Sequence, residues 1–181
     1  MKTHDLTLTA MLVAITAALG VFPPITLPLI GVRITAQSLG VMLAGGTLGA
    51  FRGSLSILIF LIFIAIGFPL LPGGRGGFHV FLGPSGGFFI GWVFSAFAIG
   101  YMTERLWHRL NYTISFGICI AGGIVLMYSI GIPWVAFINK ISLKVALIGC
   151  LPFLPGDVFK ALVAAKVIMI VKRFYPIIEP K

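Results

Sequence analysis

Residues 54–71 read SLSILIFLIFIAIGFPLL, eighteen consecutive positions without one charge. A helix built from this stretch has no polar face to turn to water. Crossing the hydrocarbon core of a bilayer, about 30 Å, takes about 20 mostly apolar residues at a rise of about 1.5 Å each. The stretch is therefore read as a membrane span, flanked by Arg52 on one side and Pro72 on the other. The rest of the chain agrees. Of its 181 residues, 59% are apolar and only 9% charged, whereas about a quarter of a soluble domain is charged. So few charges cannot cover the surface of a water-soluble globule. The solvent of most of this chain is lipid.

Five further apolar runs surround the first. One covers residues 6–22 and is closed by Pro23-Pro24. An irregular stretch with Pro28, Gly31 and Arg33 leads to a second run at 34–50, and Phe51-Arg52-Gly53 reads as a tight polar turn before the 54–71 run. The fourth, fifth and sixth runs cover 88–106, 114–138 and 155–171. A bend is expected in the fifth near Gly131 and Pro133, and Lys172-Arg173 and Pro176 stop the sixth. Between the fifth and sixth, Lys140 and Lys144 mark a loop followed by a short apolar stretch and Pro152. No internal repeat or low-complexity linker interrupts the chain. The expected fold is all-α: a single domain, residues 1–181, polytopic, with six transmembrane helices.

The charged start and apolar run of residues 1–20 raise the question of a cleaved leader. Phe22-Pro23-Pro24 follows instead of a small-x-small cleavage site, so the first helix is expected to be retained. The net charge is +9, yet Lys and Arg occur singly at the ends of apolar runs, with only Lys172-Arg173 adjacent. A surface that tracks phosphates needs clustered cations; this pattern fits anchoring at the membrane boundary and excludes a nucleic-acid partner. With six spans both termini share one side. That side would carry Lys2, Arg52, Arg105, Arg109, Lys172, Arg173 and Lys181, against Arg33, Arg75, Lys140 and Lys144 opposite. The excess places the termini in the cytoplasm of a prokaryotic plasma (inner) membrane protein.

Two features carry chemistry. Asp157 and Lys160, in Pro155-Gly-Asp-Val-Phe-Lys160, share a helix face near its first turn. A charge facing lipid costs on the order of 2.5–3.5 kcal/mol, so such residues face the protein interior and mark a candidate site. The plainer reading is an N-cap aspartate with a lysine reaching the interface. The second feature is the glycine-rich loop 73–87, which holds Gly77 and the titratable residues Arg75 and His79. Non-helical backbone at the membrane is tolerated where it packs in protein or lines a cavity. It reads either as a ligand-approaching loop or as a plain connector, and a lone histidine such as His79 is more often structural.

Other patterns are weaker. Gly83-Pro84-Ser85-Gly86 matches the GxSG of intramembrane serine hydrolases, but His4, His79 and His108 all lie outside mid-span positions where a base would be needed. Gly45, Gly46, Gly49 and Gly53 suit internal helix packing. Ala10, Ala14 and Ala18 repeat at i, i+4, i+8 and serve either packing or docking of another membrane subunit. Cys119 and Cys150 have no metal-ligand spacing and read as packing residues. With no GxxxxGK[ST] loop, uphill work must draw its energy from elsewhere. No metal or cofactor is implied.

Several of these elements, in order, resemble the BioY family of biotin transporters: Arg33-Ile-Thr-Ala-Gln37, Leu43-Ala-Gly-Gly46 with Leu48-Gly49, Gly73-Gly-Arg-Gly-Gly77, Gly83-Pro-Ser-Gly-Gly87-Phe88 and Pro155-Gly-Asp-Val-Phe-Lys160. The resemblance spans nearly the whole chain. It implies a six-helix substrate-binding (S) component of an energy-coupling factor (ECF) importer, driven by a transmembrane coupling protein and two ATPase subunits. A stand-alone carrier is the alternative in the same class. The resemblance further implies that Ala10, Ala14 and Ala18 meet the coupling protein. It implies a biotin site near the outer surface formed by Asp157, Lys160, Arg75, Gly77, His79, Phe88 and Gln37. The family's polar contact in the loop is asparagine-like, and His79 departs from it.

Overall fold

A computed structural model describes residues 3–26 and 31–178. Lys2, Pro28 and Lys181, which enter the sequence reading, lie outside them. Among the described residues the chain forms α1 (Thr3–Ala18), α2 (Gln37–Leu48), α3 (Ala50–Ala65), the one-turn α4 (His79–Leu82), α5 (Gly86–Arg105), α6 (Tyr112–Ile120), α7 (Met127–Asn139), α8 (Leu143–Cys150) and α9 (Leu154–Phe174). A π-helical turn, Ala121–Leu126, joins α6 and α7 into one rod. Six long rods thus occupy the six apolar runs, and a two-residue ribbon, Ile25–Thr26 paired with Arg33–Ile34, bridges α1 and α2.

Three of these rods, Thr3–Val21, Gly86–Arg105 and Tyr112–Asn139, are long and apolar enough to cross a bilayer on their own. Ala50–Ala65 is apolar but shorter. α2 has only 12 residues, and α9 carries Asp157, Lys160, Lys166, Lys172 and Arg173. These two depend on their neighbours. α2 is the hub: it packs against α1, α3, α5 and α9, and nearly all of it is buried. Its glycines make that closeness workable. A Cβ on Gly40 would meet Thr16 of α1, on Gly45 the Ala96 carbonyl of α5, and on Gly46 the Ile168 side chain of α9. Small residues are what let helices approach where no hydrophobic effect drives them together.

Several boundaries differ from the sequence expectation. The turn between the second and third runs lies at Gly49, with φ 85°, and not at Phe51-Arg52-Gly53, which belongs to α3. Only glycine takes this conformation at no steric cost, and Glu104 Oε1 accepts from the Ala50 N–H at 2.8 Å to cap the new helix. α3 in turn stops at Ala65, short of residue 71, because Gly67 (φ 110°) and Pro69 break it. In the fifth run the irregularity is the π turn at 121–126, one to two turns before Gly131 and Pro133. Pro133 sits inside α7, and so does Gly131, where a Cβ would run into the Phe88 ring.

Both described ends meet at one pole of the bundle. His4 Nε2 lies 3.0 Å from Tyr175 OH, Arg52 Nη1 is 2.6 Å from Asp5 Oδ1, and Arg52 Nη2 donates to the Ile177 carbonyl at 2.9 Å. An even number of crossings follows. Apolar side chains such as Phe51, Ile62, Phe94, Phe97, Phe137 and Phe159 are exposed around the bundle, as a lipid-facing wall requires. On α1, Leu8, Thr9, Leu12, Val13 and Thr16 are buried, while Ala10, Ala14 and Ala18 face outward with Leu6, Met11 and Ile15. Thr9 and Thr16 return their hydroxyls to the carbonyls four residues back at 2.8 Å, so neither needs water.

The packing of α2 is open to test. Gly45→Val should destabilise the bundle by about 1–3 kcal/mol, seen as a lower melting temperature in detergent. Gly117→Val, where a Cβ meets nothing within 4 Å, should leave the melt unchanged.

Candidate functional site

At the pole opposite the termini, α2, α5, α7 and α9 diverge around a cavity with about 580 Å³ of empty space, mouth included. Its polar wall begins on α9. Pro155 stands in the first turn, where a missing N–H costs nothing, and Asp157 and Lys160 follow on the inward face. They form an ion pair with Nζ to Oδ1 at 2.9 Å, and their side chains are 7% and 14% exposed. Two charges so deep persist only if both are paired and hydrogen-bonded, and they are. Lys160 Nζ also donates to the Thr35 carbonyl at 2.6 Å and to Ser38 Oγ at 3.0 Å, which uses all three of its hydrogens. Asp157 Oδ1 accepts from Ser38 Oγ at 3.2 Å and Oδ2 from Tyr128 OH at 2.6 Å. The pair therefore binds the starts of α9, α2 and α7 into one network.

Aromatic rings form the apolar wall. Phe88 meets Tyr128 edge-on with centroids 5.8 Å apart, and Phe89 meets Trp92 edge-on at 5.2 Å. All four line the cavity. The Gly83–Gly87 segment is small because α5 must start against α7: a Cβ on Gly87 would overlap Trp134, whose Nε1 donates to the Gly83 carbonyl at 3.0 Å.

The mouth is cationic. Leu71 and Arg75 exchange both backbone hydrogen bonds, at 3.0 and 3.2 Å, across a tight hairpin whose Gly73 and Gly74 have φ of 80° and 68°. This turn, open only to glycine, returns Arg75 to the cavity rim beside Arg33 of the ribbon. Burial first and then the positive Arg33 lower the Arg75 pKa from its ordinary value. No carboxylate is within salt-bridge reach of either guanidinium among the described residues, so the rim presents two cations to an incoming anion.

Of the residues expected from sequence, Asp157, Lys160, Arg75, Phe88 and Gln37 line this cavity. Gly77 and His79 do not. Gly77 (φ 93°) serves the loop by donating its N–H to the Ile64 carbonyl at 2.7 Å, and His79 is exposed at the start of α4. Arg33, Ser38, Tyr128, Trp92 and Phe153 line it without having been singled out. For Ser38 and Tyr128 the signal was present: hydroxyls in otherwise apolar spans need partners, and a buried Asp–Lys pair needs donors and acceptors. Ser85 lines the cavity too, but no histidine does, which leaves the serine-hydrolase pattern without a base.

The profile of the BioY family matches residues 1–177. A biotin transporter BioY of Rhizobium etli is 48% identical over 186 residues, covering all of both chains. One from Rhodobacter capsulatus is 41% identical over 183 residues, 96% of this chain and 95% of that one. A crystal structure of the S-component for biotin from an ECF-type ABC transporter superposes with a TM-score of 0.93 at 35% identity, covering 97% of this chain and 94% of that one.

The ion pair should behave as a unit. Lys160→Met alone strands a buried carboxylate and should cost about 3–5 kcal/mol. Adding Asp157→Asn should recover part of that loss. Thermal unfolding of the two single variants and the double variant measures the coupling.

Proposed function

The chain belongs to the BioY family, and from that premise we propose that it captures biotin in the α2–α5–α7–α9 cavity as the S component of an ECF-type importer. The observation that carries the reading is the buried Asp157–Lys160 pair facing an aromatic cavity with a cationic rim. Biotin offers ureido N–H donors and a ureido oxygen at one end, a sulfur-containing ring between, and a carboxylate at the other. The cavity has the complementary order. Asp157 keeps a free acceptor position on Oδ2 beside the Tyr128 bond, and a charge-assisted bond from a ureido N–H is the stronger kind. Lys160, with its hydrogens committed, pairs with Asp157 and holds Ser38 beside it. Gln37 adds an amide to the wall. Phe88, Phe89 and Trp92 cover the ring, as pockets with few polar groups do. Arg75, with Arg33, meets the carboxylate.

The energy for uptake comes from partners: a transmembrane coupling protein and two ATPase subunits. The outward face of α1 at Ala10, Ala14 and Ala18 is the docking surface for the coupling protein, flat enough for close helix contact. Both termini lie in the cytoplasm and the cavity opens outward across the plasma membrane, the arrangement favoured by the excess of Lys and Arg at the pole of the termini.

Two measurements test this. Equilibrium binding of labelled biotin to the purified chain should be saturable and unaffected by other vitamins. Asp157→Ala should weaken it at least a hundredfold, since a desolvated charge-assisted partner is lost, about 2.7 kcal/mol or more; wild-type affinity in that variant sinks the assignment. For docking, Ala14→Trp should abolish uptake in cells that supply the partners while leaving biotin binding intact. Equal loss of both, or uptake without co-purifying ATPases, would count against the partnered mode.

A further inference from the structure

Gln37 opens α2 with no part of its side chain exposed. Its Nε2 donates to two carbonyls that belong to different parts of the molecule. One is Thr16 of α1, at 3.2 Å; the other is Leu70, at 2.9 Å, in the loop that carries the Arg75 hairpin. Both amide hydrogens are thereby used. The junction is tight: a Cβ on Gly20 would overlap the Leu70 oxygen and come within 2.8 Å of Gln37 Nε2. The other end of the same amide is unsatisfied. Gln37 Oε1 is buried without a donor, on a residue that lines the cavity. A buried carbonyl oxygen is costly to leave unpaired, and the cavity is where a donor can arrive.

We propose that Gln37 reads ligand occupancy and passes it to α1. Its Oε1 accepts a ureido N–H of biotin, and the carboxamide so fixed holds the Thr16 and Leu70 carbonyls together. This inference rests on biotin being the ligand. An amide engaged at its oxygen is a stronger donor at its nitrogen, because hydrogen bonds in series polarise one another. A filled cavity therefore locks the Arg75 hairpin and the C-terminal end of α1 onto α2. The helix that turns Ala10, Ala14 and Ala18 outward is the same one whose last turn Gln37 grips, so occupancy and the docking face are coupled. By linkage, whatever binds that face shifts biotin affinity in return.

Hydrogen–deuterium exchange of the full chain in detergent, with and without saturating biotin, tests this. In wild type, biotin should slow exchange over residues 12–22 and 66–76. Gln37→Met keeps the length and removes both the donor and the carbonyl. It should bind biotin about tenfold more weakly, the loss of one buried hydrogen bond. At saturation it should show no slowing over 12–22 while the surroundings of Asp157 remain protected. Wild-type affinity in Q37M, or full slowing over 12–22, overturns the proposal. Should Q37M not give a native melt, biotin methylated on a ureido nitrogen supplies the same readout on the unaltered protein. Slowing over 12–22 equal to that of biotin then overturns it. A wild-type chain that binds no biotin at all sinks the ligand assignment, and the Gln37 role with it, whereas loss confined to Q37M bears on Gln37 alone.

Discussion

Two opposite charges, Asp157 and Lys160, lie 2.9 Å apart with almost no exposure in a chain whose surroundings are hydrocarbon. Neither would be tolerated singly. Together they are stable only because the Thr35 carbonyl, Ser38 and Tyr128 complete their hydrogen bonds. These partners come from the start of α2 and from the middle of the α6–α7 rod, so satisfying the pair fixes three helices relative to one another. The cavity between those helices is a consequence of that geometry.

The glycines of α2 permit the same arrangement from the other side. α1, α5 and α9 approach α2 at Gly40, Gly45 and Gly46, at distances a Cβ would block. A short helix of 12 residues thereby becomes the axis of the bundle. α9, too charged to qualify as a span by composition, is shielded by the others. Its cations at the far end are used as well: Lys172 Nζ donates to the Trp107 and Leu110 carbonyls at 2.7 and 3.0 Å. These charged groups are paired with protein atoms and not with lipid.

Along the cavity the charge changes from a compensated ion pair on the buried wall to two guanidiniums on the rim. Rings fill the space between. Glycine hairpin and ribbon carry the two arginines, so the rim is built on short loops while the opposite wall is built on helices. Gln37 stands where the two kinds of element meet.

The sequence by itself determined the solvent, the number of long helices and the acidic–basic pair, because each rests on local quantities: hydropathy over some twenty residues, and the three-residue spacing that puts Asp157 and Lys160 on one helix face. Their inward direction was legible as well, since lipid admits no unpaired charge. Ser38 and Tyr128 were not singled out, although they touch Asp157 from 119 and 29 positions away. Nor was the absence of His79 from the cavity lining, or the move of the α2–α3 turn from Phe51-Arg52-Gly53 to Gly49. Hydropathy cannot rank one hydroxyl or one glycine in an apolar span above another. Which of them meets a partner, and which bends the chain, depends on the distances between helices, and only the packing of the bundle decides those.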